Sequence, residues 1–231
     1  SYTVINKLPS TSKYGILNYS SREIYQTNEE IVHPLIREAF KIVDLDILVE
    51  LSSYGSASNG SGLGGSSSFL VSLLGALSKL LNISWTNNKI AEKASDVEII
   101  KLSKPIGRQD QYLSSLGGIS SLRFNKSGSV INQDISSEKN LLLRRLIKNF
   151  YLFPTSTSRK ADTVLSAIKN DNSSNDKLLA LRDIARDFIE TNESREYILE
   201  EKFHQSVKDS WEIKKSMNNV MNPLLEEQYQ F

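Results

Sequence analysis

Asn59-Gly60-Ser61-Gly62-Leu63-Gly64-Gly65-Ser66-Ser67-Ser68-Phe69 decides how this chain is read. A strand candidate, Ile47-Leu48-Val49-Glu50-Leu51, lies before it, and a long apolar helix candidate, about Ser67 to Leu81, follows. Strand, glycine loop and buried helix is the layout that phosphate binding calls for. Glycines let the backbone approach an anion and adopt positive φ. Consecutive N–H groups then form a concave nest, and the helix N-terminus adds partial positive charge. The hydroxyls of Ser66 and Ser67 fall where the helix starts. There they can cap it or ligate a metal ion carried in by a nucleotide. Gly/Ser-rich stretches are often flexible linkers, but this one is short and has strongly apolar elements on both sides. It is not a Walker A loop, because no Gly-Lys-Ser/Thr follows. Its glycine spacing also differs from the dinucleotide fingerprint.

Outward from the loop, the N-terminal side reads as strands at residues 2–8, Tyr14–Tyr19 and Arg22–Thr27. Thr27-Asn28-Glu29-Glu30 resembles a helix start, with Val32, Leu35, Ile36, Ala39, Phe40 and Val43 following at helical spacing. Asp44 to Ser52 is the strand that leads into the loop. On the C-terminal side, Thr86 is an N-cap candidate for a helix through Val97. Gly107 to Tyr112 reads as a turn entering a short helix closed by Gly117-Gly118. Strands are expected at Ile119–Phe124 and Ser129–Asp134, joined by Asn125-Lys126-Ser127-Gly128. A basic amphipathic segment at 137–147 precedes a strand at Asn149–Phe153. Beyond Arg159 the chain reads as helical over 160–170, 175–191 and 195–217, with a break at Asn222-Pro223.

Composition narrows the function classes. At 231 residues the chain can bury one large core or two small ones. Hydrophobic content of 39% and charged content of 24% are ordinary for a globular protein. The formal net charge of +1 implies neither a nucleic-acid surface nor a membrane surface. Absence of cysteine excludes disulfides and thiolate metal sites, and two distant histidines, His33 and His204, argue against a multi-histidine zinc site. The most apolar run, Phe69 to Leu81, is interrupted by Ser72, Gly75, Ser78 and Lys79, which suits a buried core helix better than a membrane span. No secretory signal is read at Ser1, and cytoplasm is the expected location. The mixed α/β character of residues 1–150 and the helix-rich 151–231 predict an α+β fold of two lobes with a cleft between.

The loop also carries a resemblance. Ser61-Gly62-Leu63-Gly64-Gly65-Ser66-Ser67-Ser68-Phe69 resembles the second signature of the GHMP kinases, Pro-x-x-x-Gly-Leu-Gly-Ser-Ser-Ala. Gly65 stands where the first serine usually is and Ser67 where alanine usually is, and Ser58 lies near the place of the missing proline. Gly107-Arg108-Gln109-Asp110-Gln111 with Gly117-Gly118 is similar to the segment that carries the catalytic aspartate in sugar-type members. Glu98, twelve positions before Asp110, has a spacing similar to that of the family's magnesium-ligand glutamate. Read without the family, Glu98 is a solvated carboxylate on a helix, and Asp110 is a helix N-cap as readily as a catalytic group. Phe153-Pro154-Thr155-Ser156-Thr157-Ser158-Arg159 and Trp211-Glu212-Ile213-Lys214-Lys215 resemble segments of the heptose 7-phosphate kinases. Asn222-Pro223, Asn6-Lys7-Leu8-Pro9 and His33-Pro34 also fit that subgroup. Pro154 and Ser156 depart from its pattern.

The resemblance implies a two-lobed GHMP-kinase-like fold, with ATP and Mg²⁺ as cofactors and a sugar phosphate as the second substrate. It places the phosphates on Ser61, Gly62, Leu63, Gly64, Gly65, Ser66 and Ser67, the metal on Ser66 and Glu98, and catalysis on Asp110. Gly117, Gly118 and Arg159 become candidates for the sugar. For Arg159 a salt bridge is the competing reading, Lys214 and Lys215 are solvated, and Trp211 and His204 are structural. Other small-molecule GHMP kinases (fucose, galactose or mevalonate type) and a non-catalytic nucleotide-binding module remain alternatives. Neither nucleic acid nor membrane is an expected partner. The family's first signature is expected upstream of Ser1 and its third downstream of Phe231, so the segment alone is expected to turn over poorly.

Overall fold

The computed structural model describes residues 1–55, 62–151, 174–193 and 195–217. It divides into two compact units, Ser1–Gly117 and Gly118–Phe231.

The first unit is built on a four-stranded sheet of order β1-β4-β2-β3. The strands are β1 (Tyr2–Lys7), β2 (Gly15–Asn18), β3 (Arg22–Tyr25) and β4 (Val49–Tyr54). β1 runs antiparallel to β4, with Tyr2 opposite Tyr54 and Lys7 opposite Val49. β4 is parallel to β2, and β2 is antiparallel to β3. One glycine makes the sheet possible as built. Gly15 pairs with Tyr25, and a Cβ on Gly15 would fall 2.2 Å from the Tyr25 ring. The ring therefore crosses β2 where no side chain blocks it. Its hydroxyl accepts a 3.2 Å hydrogen bond from the Val49 N–H at the start of β4.

Four helices complete this unit. α1 spans Pro34–Ile42 and buries Leu35, Ile36, Ala39 and Phe40. It starts at Pro34 and not near Thr27; residues 28–30 form only a single 3-10 turn. The reason is local: a residue before proline is pushed out of the helical region, and His33 is extended at φ −67°, ψ 110°. α2 (Gly65–Leu80) buries Leu70, Leu73, Leu74 and Leu77 in the core with Leu17, Phe40, Val49 and Leu51. Each such side chain contributes about 1.5–3 kcal/mol of burial. α3 (Asn87–Ser95) is capped by Thr86, whose hydroxyl accepts from the Lys89 N–H. The chain then widens into one π-helical stretch, Asp96–Lys101, before α4 (Gln109–Leu116).

In the second unit, β5 (Ser121–Phe124) and β6 (Val130–Gln133) form an antiparallel hairpin. α5 (Ser137–Ile147), α6 (Ser174–Glu190) and α7 (Glu196–Lys215) follow. Leu142 and Leu146 of α5 form a core with Leu199 and Phe203 of α7. That packing ties residues 118–150, read from sequence as part of the first lobe, to the second unit. Residues 149–151, expected to begin a strand, form a turn end and irregular chain. The helix expected at 160–170 and the break at Asn222-Pro223 lie outside the described residues. Among the described residues no helix is long and apolar enough to cross a membrane.

Candidate functional site

The glycine loop reaches α2 through two residues in the left-handed region, Gly62 (φ +74°) and Gly64 (φ +66°). The Gly64 carbonyl accepts the first helical hydrogen bond, from the Ser68 N–H at 2.9 Å. The N–H groups of the first turn, on Gly65, Ser66 and Ser67, have no partner within the helix, as at any helix start. The N-terminus of α2 thus presents a surface that can hold an anion.

Ser66 and Ser67 turn their hydroxyls away from that surface and towards Glu98. Ser66 donates to Oε1 of Glu98, and Ser67 donates to Oε2 at 2.6 Å. The π-helical stretch delivers Glu98: it turns both Val97 and Glu98 inward, two consecutive residues that a regular helix would spread around its surface. Glu98 is 0% exposed. This excludes the reading of Glu98 as a solvated carboxylate. Two donors absent from the sequence reading complete its shell. Lys104 Nζ donates to Oε1 at 2.8 Å, and Gln111 Nε2 donates to Oε2 at 2.6 Å. Lys104 Nζ also donates to Ser66 Oγ at 3.1 Å. Burial pushes the Glu98 carboxyl up. The hydrogen bonds from Lys104, Ser66 and Ser67, together with the Lys104 charge, outweigh it and hold the carboxyl below its ordinary value.

Asp110 is the second residue of α4, with Arg108 at the N-cap position, so Asp110 does not cap the helix. Its side chain lies against the loop: a Cβ on Gly64 would come within 3.0 Å of both Cγ and Oδ2 of Asp110. Desolvation raises the Asp110 carboxyl above its ordinary value, and the nearby Glu98 charge raises it further. A carboxylate made more basic can accept a proton from a hydroxyl brought to it.

The arrangement unites the described loop residues Gly62 to Ser67 with Glu98 and Asp110. Gly117 (φ +70°) and Gly118 (φ +64°) terminate α4, where the Gly117 N–H bonds to the Leu113 carbonyl at 3.0 Å. Ser61 and Arg159 lie outside the described residues. The donor set expected to hold Mg²⁺, Ser66 and Glu98, is of the right chemistry but does not fit the ion as arranged. Both carboxylate oxygens are engaged by four donors, and the Lys104 ammonium bridges Ser66 Oγ and Glu98 Oε1. No cluster of three or more His, Cys, Asp or Glu suited to a metal occurs among the described residues.

The chain resembles known proteins in sequence and in fold. Residues 30–118 match the GHMP kinases N terminal domain. The chain is 26% identical over 225 residues to D-glycero-alpha-D-manno-heptose 7-phosphate kinase of Campylobacter jejuni subsp. jejuni, covering 95% of this chain and 65% of that protein. The chain thus spans about two thirds of the length of that curated relative. Among solved structures it is similar to a D-glycero-D-manno-heptose 1-phosphate kinase from Bacteroides thetaiotaomicron, with TM-score 0.64 and 20% identity, covering 94% of this chain and 68% of that one. It is also similar to the Methanococcus jannaschii mevalonate kinase, with TM-score 0.69 and 14% identity, covering 97% and 71%. By the domain match at residues 30–118 and by its fold, the chain is similar to the GHMP kinases.

Proposed function

We propose that the protein transfers the γ-phosphoryl group of ATP to a hydroxyl of a sugar phosphate, the anomeric hydroxyl of a heptose 7-phosphate. The observation that carries the reading is the Asp110 carboxyl seated against Gly64, at the start of the helix whose first-turn N–H groups have no partner within the helix. A triphosphate on that nest has a basic carboxylate beside it. Asp110 orients the acceptor hydroxyl and takes its proton as the oxygen attacks the γ-phosphorus. The bond from the γ-phosphorus to the bridging oxygen breaks, and ADP leaves. Gly62, Gly64, Gly65, Ser66 and Ser67 contribute backbone N–H groups and close approach, and Ser66 and Ser67 also fasten the loop to Glu98. Ser61 and Leu63 belong to the same cradle in this reading, and Arg159 is the candidate for the sugar's phosphate. Catalysis here is positioning and charge placement, as phosphoryl transfer requires.

The heptose assignment draws on the names of the Campylobacter jejuni and Bacteroides relatives and on the segments around residues 153–159 and 211–215. The test is Asp110→Asn with heptose 7-phosphate and ATP, read as kcat beside ATP affinity. A fall of about a hundredfold or more in kcat with ATP affinity nearly unchanged is expected. A kcat within a few-fold of the unaltered protein overturns the role of Asp110. A panel with fucose, galactose and mevalonate tests the acceptor.

A further inference from the structure

The seat between Ser66 Oγ and Glu98 Oε1 holds an ammonium group where a divalent ion was expected. Lys104 Nζ lies 3.1 Å from the first and 2.8 Å from the second. An ammonium has three donors, so one N–H remains beyond these two bonds. Glu98 is 0% exposed while the Lys104 side chain keeps 23% of its surface, so the pair is buried on the carboxylate side and open on the amine side. The open end lies next to Ser66, in the first turn of α2, where unpaired backbone N–H groups gather.

Charge placement gives the amine a task. Two carboxylates, Glu98 and Asp110, border the N-terminus of α2. A polyphosphate arriving there meets repulsion from both unless a cation stands between. Lys104 is the cation bonded to Ser66 and Glu98. The π-helical stretch holds it there: the chain leaves Glu98, turns through Ser103 at φ +51°, and returns the Lys104 N–H to the Glu98 carbonyl at 2.9 Å. Main chain and side chain of Lys104 are both tied to Glu98.

We infer that Lys104 is the site's resident cation and contacts the phosphate chain of the nucleotide directly, so that Ser66 and Glu98 hold this lysine and not a divalent metal ion. Glu98 and Gln111 are then positioning residues for the ammonium. The inference rests on the nucleotide-binding reading above. It has two consequences: phosphate affinity that does not require a divalent ion, and a loss on removing Lys104 that neutralising Glu98 does not repair.

The experiment is calorimetric titration of the 231-residue protein with inorganic tripolyphosphate and with ATP, each in EDTA and in Mg²⁺. Both probes should bind in EDTA. Lys104→Met should weaken both in EDTA by about ten- to hundredfold, the worth of one charge-assisted contact. Lys104→Arg should retain most of the affinity. Lys104→Met leaves Glu98 buried without its countercharge and can lose folding, so the double variant Lys104→Met/Glu98→Gln, which removes both charges, carries the decision. It should fold, as read by its melting transition, and still bind weakly. Recovery of the unaltered affinity in the double variant overturns the inference, because Lys104 would then serve only to neutralise Glu98. Binding of ATP solely in Mg²⁺ also overturns it while leaving the kinase reading standing. Failure of ATP to bind under either condition sinks both.

Discussion

Gly64 and Asp110 are in contact across the loop: a methyl group on Gly64 would stand 3.0 Å from the aspartate's Cγ and Oδ2. Gly64 also holds φ +66°. Two demands converge on one position, a left-handed backbone and an empty Cβ site. Gly64→Ala should destabilise the first unit by about 1–2 kcal/mol through backbone strain alone. That corresponds to a melting shift of roughly 2–8 °C. The Asp110 side chain must also move, so kcat should fall more than stability predicts, by about tenfold or more. Circular-dichroism melts paired with turnover separate the two effects. Equal kcat in a variant that melts lower would mean the Asp110 position is not critical.

The two carboxyls of the site respond to pH in opposite senses. The Glu98 value is depressed in the folded protein, so its stabilising contribution is complete above its unfolded value of 4.5 and is lost as pH falls through the folded value. The Asp110 value is raised, so Asp110 disfavours folding once ionised, and that penalty grows as pH rises through its folded value. Asp110→Asn should therefore melt at an equal or higher temperature at pH 7 while losing activity. A lower melting temperature for Asp110→Asn at pH 7 would contradict the raised value. Chemical denaturation at pH 4 and pH 7 provides the check.

Charge coupling between the same two groups has a kinetic consequence. Burial raises the Asp110 carboxyl first, and the Glu98 charge adds to it. Glu98→Gln removes the second cause and keeps the first. The acid limb of the kcat/KM profile should move to lower pH, without reaching the ordinary aspartate value. A limb that stays in place, or moves up, would show that Asp110 is not the group titrating there.

Much of this site could be read from the chain because its chemistry is local. Gly62, Gly64 and the serines precede an apolar helix, so spacing brought them forward, whereas Asp110 came forward through its resemblance to the GHMP kinases. Lys104 and Gln111 stayed hidden for a physical reason. A lysine before a proline and a glutamine inside a short helix look like surface residues, and only the π-helical turn at Asp96–Lys101 aims Glu98 at both. The boundary between units was hidden in a similar way. The apolar face of α5, with Leu142 and Leu146, would serve either unit, and its partner Leu199 lies more than fifty residues further on. The end of α1 was legible from its spacing, whereas its start was set by Pro34 and its extended neighbour His33.

The sheet of the first unit depends on Gly15 in a way that substitution can weigh. Tyr25→Phe removes only the hydrogen bond from the Val49 N–H, worth about 0.5–1.5 kcal/mol. Gly15→Ala places a methyl group 2.2 Å from the ring, so Tyr25 must leave its track across β2. Overpacking of this kind costs about 1–3 kcal/mol, and the hydrogen bond is lost with it. Gly15→Ala should thus be the more damaging change in urea denaturation. The reverse order would mean that the ring finds another seat at little expense.

Lys139 sets a corresponding test for the second unit. It lies on α5, only 4% exposed, and its ammonium donates to the carbonyls of Ile189 and Thr191 at the end of α6, the latter at 2.7 Å. A cation at a helix C-terminus meets unpaired carbonyls and the negative end of the helix dipole. Burial pushes the Lys139 amine below its ordinary value, and the Lys202 charge adds to that, yet the two carbonyl bonds compensate the buried charge. Lys139→Met keeps the length and apolar stem but strands both carbonyls. About 1.5–3 kcal/mol should be lost, as for hydrogen bonds to a charged group. The loss should be local: amides near residues 186–193 should exchange with solvent faster, while those of α2 in the first unit keep their protection. Uniform acceleration across both units would show that the two unfold together, and unchanged exchange at 186–193 would show that Lys139 does not hold the end of α6.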